Sequence, residues 1–109
     1  MSRYMVQAAY TAEAAAVFAS KPQDRVAGVQ ALTEKMGAHL DSFDYCLGDY
    51  DVMITFSAPD DTTAVAIALA AISPGHLKAY KTTKLLSPEE FTEASRKASG
   101  AGYQAPSRG

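Results

Sequence analysis

The chain has 109 residues, 48% of them hydrophobic and 20% charged, with a formal net charge of −2. That length fits one domain with a single core. The balance of charge gives no electrostatic footprint for nucleic acid or an anionic membrane, and no apolar run approaches the ~18 residues that span a bilayer.

Taken in chain order, residues 3–10 alternate as a first strand. Thr11 is placed to cap a helix over 12–19, with Glu13 in the first turn where the helix dipole favours an acid. Lys21-Pro22 interrupts that helix, because proline removes a backbone donor. A second helical stretch restarts near Pro22 and runs to Met36, with Val26, Val29, Leu32 and Met36 on one face and Gly37 as its stop. Residues 39–47 and 51–57 read as a second and third strand, joined at Gly48-Asp49 by a two-residue hairpin turn of the Gly-X kind. Asp60 or Asp61 caps a helix over 61–72, and Ser73-Pro74-Gly75 ends it. Residues 76–86 form a fourth strand. Ser87-Pro88-Glu89-Glu90 is the strongest cap in the chain, a capping box opening a helix with a narrow stripe of Phe91, Ala94 and Ala98. The order β-α-β-β-α-β plus a C-terminal helix is the ferredoxin-like α+β sandwich. It forms one domain over residues 1–98, and a flexible tail is expected over 99–109.

The segment Leu47-Gly48-Asp49-Tyr50-Asp51-Val52 resembles the signature of the GYD family, with Gly48, Tyr50 and Asp51 at the named positions. The resemblance extends from about Tyr4 to about Phe91. It implies a ferredoxin-like domain that pairs through its sheet as a dimeric α/β barrel; it implies no activity.

Alternation places Tyr4, Val6, Ala8, Tyr10, Phe43, Tyr45, Val52, Ile54, Phe56, Leu77 and Ala79 on a core face covered by helices. The opposite face then carries Met5, Gln7, Ala9, Ser42, Asp44, Cys46, Asp51, Met53, Thr55, His76, Lys78, Tyr80 and Thr82. Polar groups set among methionines suit a sheet that packs on a second sheet around a small wet cavity. The helix over 61–72 has almost no polar face, which fits either a further subunit contact or an exposed alanine ridge.

On that geometry Gln7, Asp51, Met53 and Tyr80 are the expected ligand-binding residues. Asp51 is the candidate general base, since a carboxylate in a partly apolar cavity holds its proton more tightly; its alternative is a backbone acceptor that fixes the turn. Tyr80 or His76 is the candidate acid or oxyanion stabiliser. Asp44 reads as a solvated acid, Tyr50 as a turn residue and Cys46 as a packing thiol. His39 and His76 lack metal-ligand spacing, so no metal site is expected, although a haem needs only one axial histidine. Lys78, Lys81 and Lys84 fit a guarded edge strand. No motif names a cofactor.

Three functions follow. The first is a homo-oligomer, at least a dimer, holding a small organic ligand between paired sheets. The second is a cofactor-free enzyme for proton transfer, decarboxylation or oxygenation. The third is a structural or regulatory oligomer. With one cysteine and no leader-like N-terminus, a cytoplasmic location is expected, with no nucleic-acid or membrane partner.

Overall fold

The computed structural model describes residues 1–107. Strand β1 (Ser2–Tyr10) is followed by helices α1 (Ala12–Ser20) and α2 (Val26–Lys35), strands β2 (His39–Tyr45) and β3 (Val52–Ala58), helix α3 (Asp61–Ile72), strand β4 (Leu77–Leu85) and helix α4 (Pro88–Ser99). The sheet is antiparallel in the order β2-β3-β1-β4, so β2 and β4 are its edges. This is the ferredoxin-like α+β arrangement expected from the element order.

Local chemistry sets the boundaries. The Thr11 hydroxyl accepts from the Ala14 amide and opens α1. Helix α2 begins at Val26 rather than near Pro22, because the Asp24 carboxylate takes the Val26 amide at 2.9 Å and holds the preceding residues out of the helix. Gly37, at φ +74°, ends α2 in the left-handed region. Asp60 caps α3 through the Thr63 amide at 2.8 Å. Ser87 and Glu90 close the capping box of α4 in both directions.

Next to the turn the hairpin keeps the expected register, with Phe43 opposite Ile54 and Tyr45 opposite Val52, and it shifts by one residue between Leu40 and Ser42. The turn is different. The ladder stops at that last pair, the Cys46 amide donates to the Asp51 carbonyl at 2.8 Å, and Gly48 does not adopt a positive φ. A Gly-X turn requires positive φ at its first central residue, so that turn type is excluded.

The core comprises Tyr4, Val6, Ala8, Ala38, Phe56, Ala58, Ala64 and Ile67, with Leu32, Met36, Ile54, Leu77 and Tyr80 packed against it. Tyr4 stacks on Phe56 at 5.2 Å. Its hydroxyl donates to Asp61 at 2.6 Å, and Lys84 reaches the same carboxylate at 3.0 Å. That cluster ties β1, β4 and α3 together at one end of the sheet.

Helix α4 stands apart. Every one of its residues is exposed, Phe91 to 66%, and the radius of gyration is 18.2 Å, where a compact chain of this length has about 13 Å. Residues 102–107 have no helix or strand; the remainder of the expected tail, 108 and 109, lies outside the described residues.

Candidate functional site

Strand β4 departs from simple alternation. Leu77 pairs with Tyr10, but Ala79 pairs with Ala9 and Tyr80 with Ala8, so one residue is bulged at Lys78. A bulge adds one residue to one strand and reverses which face the following side chains take. Tyr80 and Thr82 therefore share the helix-covered face with Ala8 and Val6, not the open face on which strict alternation placed them. Ala79, expected in the core, is exposed. Tyr45 is likewise 59% exposed, at the far edge, with its ring against Phe43.

The bulge aims Tyr80 into a hollow of about 180 Å³ between the sheet and helices α2 and α3. Its floor is Val6, Ile54 and Phe56 from the sheet, and its walls are Val29 and Leu32 from α2 and Ile67, Ala70 and Ala71 from α3. A cavity of about 150 Å³ lined by such side chains holds benzene, so this one accommodates a molecule of that size or slightly larger. The small Ala70 and Ala71 leave the space open on the α3 side.

Polar residues line the hollow at a few points: Tyr80, Tyr10, His76, Arg25 and the buried Thr33, whose hydroxyl donates to the Gln30 carbonyl. Burial pushes the Tyr80 phenol up to about 12, against a smaller downward pull from Thr82, so at neutral pH it is a hydrogen-bond donor and not a phenolate. The Tyr10 phenol is also raised, first by burial and then by Tyr45, while the Arg25 charge opposes the shift. The Tyr10 ring meets Phe18 edge-on at 4.8 Å and lies nearly parallel to the His76 imidazole at 6.3 Å. The His76 carbonyl accepts the Thr11 amide, which fixes the start of β4 against the start of α1.

The remaining expected residues lie elsewhere. Asp51 lines a shallow groove with Tyr10, Phe18, Tyr45 and Cys46, and its Oδ2 accepts the Tyr10 backbone amide at 2.8 Å. Its amide donates to the Ala8 carbonyl. Asp51 thus bridges the hairpin end to β1: its side chain accepts a backbone amide, but that of Tyr10 in β1 and not one in the turn. Gln7 and Met53 face each other across β1 and β3 on the open side of the sheet, together with Met5, Thr55 and Thr83. Of the four expected ligand-binding residues, only Tyr80 lines the helix-side cavity, joined by His76 from the acid candidates. Cys46, expected to pack, is exposed.

Arg25 and Tyr10 are the cavity residues that sequence reasoning missed. One signal was present: an arginine at the start of an apolar helix with glycine three residues on, where helical spacing puts the small residue beneath the long one. His39 begins β2 and is exposed, 3.7 Å from Asp41, whereas His76 precedes β4 at the opposite edge of the sheet. Among the described residues no group of three or more His, Cys, Asp or Glu side chains is placed to hold a metal ion, and no helix is long and apolar enough to cross a membrane.

A four-stranded antiparallel sheet covered on one face, with an apolar hollow under the cover, defines a ferredoxin-like α+β domain with an internal cavity. Residues 4–95 match the GYD domain, and the chain belongs to that family, whose function is unsettled. No curated protein matches the sequence. Among solved structures, the crystal structure of MtbAldR is similar with a TM-score of 0.57 and 10% identity, over 79% of this chain and 53% of that one. At that identity the likeness is one of fold alone, and the chain spans about half of that protein's length.

Proposed function

We propose that this protein binds a small, largely apolar organic molecule in the cavity between the sheet and helices α2 and α3. The observation that carries the reading is the 180 Å³ hollow itself, walled by aliphatic and aromatic side chains and entered by a handful of polar groups. That combination is the usual make-up of a small-molecule site. The proposed site is beneath the helices and not between paired sheets, because the β4 bulge turns Tyr80 inward. Catalysis is the weaker reading: Asp51 lines a different hollow from Tyr80 and His76 and spends an oxygen on a backbone amide.

Titration with benzyl alcohol, a neutral probe of suitable size, tests the site by amide NMR. Saturable shifts are expected at Val29, Leu32, Ile54 and Ile67. Filling the space with Ala71→Leu is expected to abolish them while the melting temperature holds. Absence of saturable shifts in the unaltered protein contradicts the reading.

The same reading includes self-association. The open sheet face, with Met5, Met53, Thr55 and Thr83 half-buried, measures roughly 30 by 19 Å from strand spacings. That is short of the ~800 Å² per partner of a standard interface, and α4 adds roughly 180 Å². A pair of chains that meet through their open faces, each laying α4 on the other, accounts for a helix that touches little of its own chain. The outer stripe of α3, with Val65 57% and Leu69 64% exposed, offers a further contact for larger assemblies.

A further inference from the structure

Arg25 is half-buried where α2 begins, and it contributes no side-chain cap to that helix. The ion pairs among the described residues are His39–Asp41, Lys84–Asp61 and Arg96–Glu93, and Arg25 belongs to none of them. Its nearest acidic neighbour in sequence, Asp24, is occupied with the Val26 amide. No carboxylate of the described residues therefore pairs with the Arg25 guanidinium. The group lies instead over Gly28: a Cβ added there would sit 3.5 Å from a terminal guanidinium nitrogen and 3.6 Å from its central carbon. Glycine inside a helix costs about 1 kcal/mol relative to alanine, and a methyl group at 28 would meet the guanidinium at ordinary van der Waals distance. The seat of the guanidinium opens on the hollow that Tyr80, Tyr10 and His76 also line.

From this we infer that the ligand is a small monocarboxylic acid. Its apolar body, roughly the size of a benzene ring, fills the space above Val6, Ile54 and Phe56, and its carboxylate is held by the fork of Arg25. The inference rests on the cavity reading above and names its ligand class. A planar fork of donors matches a carboxylate in a way that a point charge does not. One cation beside an apolar hollow also suits a singly charged head, whereas a phosphate dianion calls for more donors than this end of the cavity offers.

Benzoate and its neutral isostere benzamide separate the inference from the reading beneath it. Both are titrated into the unaltered protein, Arg25→Gln and Arg25→Lys, with the melting temperature of each variant as the folding control. The unaltered protein is expected to prefer benzoate. Arg25→Gln is expected to weaken benzoate by about tenfold or more and leave benzamide unchanged, a loss in line with removal of a charged hydrogen-bond partner. Arg25→Lys is expected to fall between them. Equal affinity for the two probes, or benzoate binding indifferent to Arg25→Gln, overturns the carboxylate inference and leaves the cavity in place. Failure of both probes to bind overturns the cavity reading and the inference with it.

Discussion

At the scale of single residues, the acids and phenols of this chain divide by what their oxygens touch. Asp51 holds the Tyr10 amide and joins the hairpin end to β1. Asp51→Ala leaves that half-buried amide without its acceptor and is expected to cost about 1–3 kcal/mol in a denaturant melt. Asp51→Asn keeps an acceptor in place and is expected to cost less, and neither variant should alter uptake of a ligand by the cavity. Tyr80 presents the opposite case, a phenol kept neutral by burial. Below pH 10 it is protonated in folded and unfolded chains alike, so it adds no pH dependence. Between pH 10 and about 12 the unfolded phenol ionises while the folded one does not, so stability falls as pH rises through that window. Tyr80→Phe should remove that part of the fall, and a series of alkaline melts checks it. Both residues stand out in the sequence, but the environment of only one of them does. A turn beside Asp51 is legible from Gly48 and its neighbours, though not its type, and so is the possibility of a backbone role. The surroundings of Tyr80 depend on a bulge that no residue near Lys78 announces, and Arg25 faces its cavity only once α2 lies on the sheet.

Among the elements, the signals carried by caps and breakers were the legible ones. Asp60, Ser73-Pro74-Gly75 and the Ser87 box bound α3 and α4 where the sequence places them. The β2–β3 register near the hairpin, from Ser42 to Tyr45, follows from alternation, but the shift between Leu40 and Ser42 does not. The facing of β4 does not either, since one extra residue reverses every position after it. The start of α2 was misplaced for a similar reason, a side chain competing for a backbone amide. Caps also differ in what they stabilise. Helix α3 packs on β3 and β4, so Asp60→Ala, which removes both the Thr63 amide and hydroxyl partners, is expected to cost about 1 kcal/mol of global stability. Helix α4 packs on little of its own chain, and twelve residues are marginal as an isolated helix. Ser87→Ala should therefore reduce helical circular dichroism without moving the main unfolding transition of isolated chains.

For the molecule as a whole, the extents of 60 by 37 by 22 Å describe a compact body with a projecting arm. The proposed pairing through the open face would cover both the half-apolar side of the sheet and the amphipathic helix α4. Met53→Lys tests this on the open face. The new ammonium faces Asp44 across the strands, so the single chain keeps its fold, while a charge is set in the proposed contact. Sedimentation should show pairs for the unaltered protein and single chains for the variant; pairs in both would contradict an interface through that face. The cavity is independent of this association, being walled by one chain's own helices and sheet. The family and the likeness to MtbAldR fix the fold and stop there, so the case for a ligand stands on the hollow and on the groups that enter it.

The most direct measurement is native mass spectrometry of the untagged protein, purified without dialysis, beside its Ala71→Leu variant. A reproducible added mass of about 100–150 Da per chain, the weight of a molecule of benzene size bearing an acid group, is expected in the unaltered protein and absent from the variant whose cavity is filled. Bare chains in both, or the same added mass in both, would contradict a ligand site under the helices.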